Sequence, residues 1–301
     1  MFNWDLYFKI MRWRILKNHK KRLMEIARKI EIIAEFSKNQ IIEENITVEE
    51  CLANAKKLAL EAKKAGADVG KWQCHVFEDE KEFRNEKRWD WIKLNERLTP
   101  YFGFWKPLCE FQEEIGLDFL VTPMSKSAAI KVNDFVGRWK VGSADIVNFG
   151  LLQYLKETEK PIILSTGMST EGQIDKAVRF LDNQIQYLNY CVSLYPCPVY
   201  KINLNRITEL KQKYDLPIGF SDHSLSIEVP ALAVRMGAMA IEKHFTLDRN
   251  AFGPDHKTSL LPDEFKKMVE FCRLAEKDGE SFEEEKLNWK NFRFRVNSSF
   301  E

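Results

Sequence analysis

Eight short apolar or β-branched runs, each followed by a helical pattern or a polar loop, constrain this chain more than any other feature. In order they are "EIIAEF", "ADVGKWQ", "LDFLVTP", "RWKVGSA", "PIILSTG", "LNYCVSLYP", "PIGFSDH" and "AMAIEKHF". Runs of this length and composition read as buried strands. Between them, helical patterns cover Val48 to Ala65 with Thr47 as cap, Lys106 to Ile115, a short piece after Ser127, Asn148 to Glu157, Thr170 to Asp182, Leu204 to Tyr214 and Ile227 to Met236, and a last one covers Pro262 to Lys277. Alternating β and α with short connections implies parallel strands joined by right-handed crossovers. Eight such units close a barrel. An open doubly wound sheet is the competitor, but it would normally carry a glycine-rich phosphate turn after an early strand, and the sequence has none. The expected fold is therefore α/β, a (β/α)8 TIM barrel.

A barrel of this kind needs about 250 residues, and the chain has 301. The division that follows is a basic, aromatic N-terminal extension over residues 1–30, a barrel over 31–285 and a tail over 286–301. The extension reads as an element that packs its apolar residues on the domain, or as a membrane-surface or partner-binding element. Elsewhere, 46 basic residues nearly balance 45 acidic ones, so no global field favours nucleic acid and a small-molecule partner is expected. Six scattered cysteines without a C-x-x-C pair point to reduced thiols. No apolar stretch approaches the roughly 20 residues of a membrane span, and no signal-peptide pattern opens the chain. A cytoplasmic protein is expected.

The strand beginnings read as apolar, whereas the ends carry Glu35; Lys71 and Gln73; Thr122; Lys140, Ser143 and Asp145; Ser165 and Thr166; Ser193; Ser221, Asp222 and His223; and Glu242, Lys243 and His244. That asymmetry is expected of a barrel whose active site lies at the C-terminal face. His223 and His244 end neighbouring strands about 4.8 Å apart, so both imidazoles can reach one divalent ion. Side-chain alternation then turns Ser221 inward with His223, and Glu242 inward with His244. An oxygen-rich rim suits Mn, Fe or Co, with Zn as a further choice; the bland alternative is that each histidine only hydrogen-bonds within the rim. Lys71 and Lys140, among the hydroxyls of Thr122, Ser143, Ser165 and Ser193, suit a phosphate or carboxylate, and the lysines would pair with Glu35, Asp145 or Glu242 in the empty site. Ser143 and Lys140 differ in parity, so one must lie beyond the regular strand. His19, His75 and His256 read by default as structural histidines, although His75 follows the second strand and could face the site.

The stretches "IIAEF", "AKKAGAD", "KWQ", "TPMS", "KVGSADIVNFGLL", "KPIILSTGMST", "YPCP", "LPIGFSDHSLSIEVPALAVRMGA", "IEKHFTLDRN" and "GPDHKTSLLPDEF" closely resemble the sialic acid synthase family, with its legionaminic and pseudaminic acid synthases and spore-coat relatives. The resemblance runs from Glu31 to about Glu280. It implies condensation of phosphoenolpyruvate with an N-acetylmannosamine-type aldose, its 6-phosphate or a diacetamido analogue, giving a nonulosonic acid and phosphate. By the same resemblance His223 and His244 are ligands of a divalent metal, Mn first, with Mg, Co or Zn as alternatives, and no nucleotide cofactor is needed. Lys71, Thr122, Lys140, Ser143, Ser165, Ser193 and Ser221 match phosphoenolpyruvate-binding positions. Glu35 matches a carboxylate beside the reacting carbons, Asp145 stands where a sugar-contacting glutamate is usual, and Asp255 matches a further rim acid. A homodimer is also implied.

The chain departs from that pattern in "EFSKNQ", where "EIGxNH" is usual, and at Gly70, where a β-branched residue usually precedes the lysine. Family members commonly continue into an antifreeze-like domain, which is not expected here. Two further readings follow: a non-catalytic paralogue serving as a binding or assembly partner, and a phosphoenolpyruvate aldol synthase using another aldose.

Overall fold

In the computed structural model, which describes residues 29–277, the eight runs form a closed barrel of parallel strands in sequence order. They are β1 Glu31–Ser37, β2 Val69–Cys74, β3 Asp118–Pro123, β4 Trp139–Val141, β5 Ile162–Ser165, β6 Ile185–Cys191, β7 Ile218–Asp222 and β8 Ala240–His244. Closure comes from β1 pairing with β8, which sets Glu35 opposite His244. On its other side Glu35 lies opposite Lys71 of β2. The register alone therefore brings three of the expected site residues side by side.

Helices α1 Val48–Lys64, α4 Lys106–Glu114, α5 Lys126–Val132, α6 Phe149–Glu157, α7 Glu171–Leu181, α8 Asn205–Tyr214, α9 Val229–Arg235 and α10 Pro262–Lys277 follow the expected pattern. Capping boxes start α1 and α7: Thr47 accepts from the Glu50 amide and Thr170 from that of Gln173, and each longer side chain accepts in return from its cap residue's amide. Between β2 and α4, the sequence reading left a gap. Here lie two more helices, α2 Phe77–Glu80 and α3 Trp89–Leu98, and a π-helical turn, Tyr101–Trp105. The extension over residues 1–30 lies outside the described residues except for its last two positions, and the tail over 286–301 lies outside them entirely. All six cysteines are free and buried.

The interior is layered. Ile33, Val69, Leu120, Ile163, Tyr187 and Ala240 form an apolar middle. Below it the expected apolar strand beginnings need correcting. Arg138 grips both oxygens of Glu31 at 2.7 and 2.9 Å and also reaches Asp118 at 3.0 Å and Gln186 at 3.2 Å. A bidentate guanidinium suits this enclosed end, because a buried charge must be both paired and hydrogen-bonded. Above the apolar layer sit the polar strand ends.

Candidate active site

Two ammoniums and two carboxylates occupy the middle of the upper layer. Lys71 Nζ lies 2.6 Å from Glu35 Oε2 and 3.3 Å from Glu242 Oε1, and donates to Thr122 Oγ1 at 3.1 Å. Lys140 Nζ donates to both oxygens of Glu242, at 3.0 and 2.9 Å. All four are buried. Burial alone would raise the Glu242 carboxyl, but Lys140 and Lys71 outweigh it and hold the group well below the usual carboxylate range. For Glu35 burial wins, and its carboxyl is raised. Burial likewise lowers the Lys140 ammonium, against the pull of Glu242.

Strand parity matches the alternation argument. Ser221 Oγ donates to Glu242 Oε1 at 3.1 Å and lies 3.4 Å from His223 Nε2. Asp222 and Lys243, the intervening residues, turn outward into a buried ion pair of 2.5 Å behind the barrel wall, so neither joins the rim. Thr166 also turns away, donating to the Asn189 carbonyl. Ser143 lies in the turn after β4, as its parity against Lys140 required.

Around β5, polar atoms crowd a single glycine. The Gly167 amide donates to Ser143 Oγ at 3.1 Å. A Cβ at 167 would meet Ser193 Oγ at 2.4 Å, Ser143 Oγ at 2.7 Å and Cys191 Sγ at 2.8 Å. The hydroxyls of Ser165 and Ser193 are buried without partners among the described residues. Desolvated donors of this kind are costly unless something binds them. Beside them Asn189, opposite Ser165 and Gly219 in the register, leaves both atoms of its buried carboxamide unpaired among the described residues.

The two rim histidines lie with ring centroids 5.6 Å apart. Rings sharing one divalent ion at roughly 2.1 Å would have centroids about 5–6 Å apart, so the pair fits. His223 Nδ1 donates to the Val192 carbonyl at 2.7 Å, the outer hydrogen bond that commonly orients a ligating imidazole. His244 Nδ1 is buried without a partner among the described residues. Burial holds both rings down to about 4, so each is neutral and has a lone pair to offer. Among the described residues no group of three or more His, Cys, Asp or Glu gathers as a cation site.

Asp255 sits on the same rim. It accepts from Ser37 Oγ at 2.5 Å and lies 3.6 Å from Lys38 Nζ. Burial opposes its ionisation, but Lys38 and His244 prevail and its carboxyl falls to about 2. Asp145 stands apart from the lysines: both its oxygens accept from Arg84 Nη2, at 2.8 and 3.1 Å.

Sequence reasoning missed Arg84 because it follows α2 in the unassigned gap. It missed Lys38 because alternation from Glu35 would turn that residue outward, and a bulge between Glu35 and Ser37 breaks that alternation. Tyr195, whose ring lies 4.1 Å from that of His223, and Asn189 were also overlooked. Asn189 could have been found, since it shares parity with Tyr187 and Cys191 on a strand already assigned.

The fold and this rim define a parallel barrel whose C-terminal face carries buried lysines, hydroxyls and two imidazoles. The NeuB family profile matches residues 58–283, and the chain belongs to the NeuB family. It is 42% identical over 226 residues to an uncharacterized protein of Methanocaldococcus jannaschii, covering 74% of this chain and 66% of that one. It is 34% identical over 243 residues to an N,N'-diacetyllegionaminic acid synthase of Legionella pneumophila, covering 74% and 67%. The chain thus spans about two thirds of the length of these relatives. Among solved structures it resembles an N-acetylneuraminic acid synthetase from Leptospira borgpetersenii, with a TM-score of 0.74 and 31% identity over 87% of this chain and 92% of that one.

Proposed function

We propose that this chain condenses phosphoenolpyruvate with an N-acetylmannosamine-type amino sugar to give a nonulosonic acid and phosphate. The observation that carries the reading is the buried Lys71–Glu35–Glu242–Lys140 cluster beside unpaired serine hydroxyls. Named synthases among the relatives support it. In this reading Lys71, Lys140, Thr122, Ser143, Ser165, Ser193 and Ser221 take the phosphate and carboxylate. Fixing them beside the aldehyde makes the encounter effectively unimolecular, which can lower the barrier by about 7–11 kcal/mol.

His223 and His244 would hold a divalent metal, Mn first. Such an ion, when bound, supplies Lewis acidity to the sugar aldehyde. The bond forms between the enol carbon of phosphoenolpyruvate and that aldehyde carbon, water adds at C2 and phosphate leaves. Glu35, buried with a raised carboxyl and in contact with Lys71, is suited to orient or deprotonate that water. Asp145 and Asp255 lie at the sugar end. No helix among the described residues is long and apolar enough to cross a membrane; a cytoplasmic homodimer completes the reading, with light scattering as its check.

The test is phosphate release from phosphoenolpyruvate by the purified chain with Mn, with and without N-acetylmannosamine. Sugar-dependent release that disappears in a His223→Ala, His244→Ala variant is the expected result. A folded protein that binds Mn but releases no phosphate with any acylated amino sugar would leave the binding-partner reading in its place.

A further inference from the structure

The loop between β2 and α3 carries a polar array that the reaction as described does not use. His75 Nδ1 faces both oxygens of Glu80 at 3.0 Å. Glu80 also accepts from the Val76 amide at 3.1 Å and lies 3.5 Å from Arg84 Nε, and Arg84 in turn engages Asp145. Thus one carboxylate, itself only 2% exposed, ties the first residue after β2 to the guanidinium at the sugar end.

A ring nitrogen that faces two carboxylate oxygens must carry the proton. Burial holds His75 below its ordinary range, so the ring is neutral and Nε2 keeps its lone pair. That atom is buried and has no partner among the described residues, in a residue 3% exposed. A desolvated acceptor left unpaired is destabilising, and nothing among the described residues relieves it.

Three observations put this acceptor at the rim. Lys71 and Gln73 alternate into the site, and His75 continues their parity. Gln73 links Glu35 to Lys38, donating to one and accepting from the other at 2.9 Å. The charges of Lys38 and Arg84 both act on the His75 ring, so the cation beside Asp255 and the cation on Asp145 are both near it.

We propose that His75 Nε2 is the hydrogen-bond acceptor for a donor on the aldose, a hydroxyl or the acylamino N–H, making the β2–α3 loop part of the sugar subsite. The inference rests on the amino-sugar reading above. Two variants separate acceptor from scaffold. In His75→Asn the amide nitrogen sits near the old Nδ1 and keeps Glu80, but no acceptor remains at Nε2. In His75→Gln the longer arm can bring an oxygen to that place.

With Mn-loaded protein, His75→Asn should raise the KM for N-acetylmannosamine about tenfold while leaving the KM for phosphoenolpyruvate and the calorimetric affinity for Mn within about twofold. His75→Gln should recover most of the sugar affinity. An unchanged sugar KM in His75→Asn, or damage in His75→Gln alone, would show that the ring only anchors Glu80. Loss of Mn affinity in His75→Asn would make it a metal ligand instead. If the native chain neither turns over nor binds any acylated amino sugar, the amino-sugar reading falls and this proposal falls with it.

Discussion

Replacing Glu242 by glutamine removes one negative charge from a cluster of two ammoniums and two carboxylates while preserving shape. In the native site Glu242 is, among the described residues, the only carboxylate within 3.0 Å of Lys140, and it also faces Lys71 at 3.3 Å. Breaking a buried pair typically costs about 3–5 kcal/mol. Burial already lowers the Lys140 ammonium, so the variant can respond by losing that proton, which favours the lower end, near 3 kcal/mol. For a protein of this size that is a fall in Tm of about 6–12 °C. Phosphoenolpyruvate brings its own negative charge to the same lysines. The variant should therefore gain more Tm from saturating phosphoenolpyruvate than the native protein does, and binding should draw a proton back onto Lys140. Differential scanning fluorimetry gives the first quantity. Titration calorimetry in buffers of different ionisation enthalpy gives the second. A native-like Tm without ligand, or a smaller ligand-induced rise in the variant, would refute the view that Glu242 stands in for the substrate's charge.

Gly167→Ala should cost at least tenfold in phosphoenolpyruvate affinity by calorimetry, because its methyl would displace the Ser193 and Ser143 hydroxyls that lie 2.4 and 2.7 Å from the Cβ position; unchanged affinity would remove that turn from the anion site. Arg138→Met leaves Glu31 and Asp118 without their guanidinium and should lower stability by about 3–5 kcal/mol in urea unfolding with phosphoenolpyruvate affinity intact, since the pair lies at the opposite end of the barrel. In metal-free protein, His223 and His244 are held at about 4 by burial, against about 6.5 in the unfolded chain. The unfolded state then takes up protons that the folded state refuses, so stability is complete above pH 6.5 and falls as the pH drops toward 4, by on the order of 2 kcal/mol per histidine at pH 5. Urea unfolding at pH 7 and pH 5 in the presence of a chelator measures this, and a His223→Gln, His244→Gln variant should flatten the profile.

How far such a site can be read from sequence depends on which physical rule places each residue. Strands buried on both faces announce themselves as apolar runs, and within a strand the two-residue period decides what turns inward. That is why Ser221, His223, Glu242 and His244 could be assigned to one face, with Asp222 and Lys243 excluded once their outward ion pair is seen. The rule fails where the period is broken. Lys38 follows a bulge and a residue at φ 52°, Ser37, and Arg84 follows a four-residue helix too short to show a period. At the N-terminal end the failure is of another kind. Glu31 and Arg138 look like ordinary polar residues flanking strands, and only closure of the barrel brings them together.

Two departures from the family pattern, each unfavourable when taken singly, also make sense only in three dimensions. Gly70 should weaken β2, where glycine loses packing and backbone order. A Cβ there would meet Phe36 Cε2 and Leu117 Cδ2 at 2.9 Å and Gln112 Nε2 at 2.6 Å. Phe36, which stands where isoleucine is usual, has its ring 4.4 Å from that of Trp72, and the Trp72 indole donates to Gln112 at 2.5 Å. The larger ring thus fills the space the missing side chain leaves on the outer face of β2. The strand keeps its packing and Lys71 its position, because the residue lost from one strand is replaced by bulk from the next.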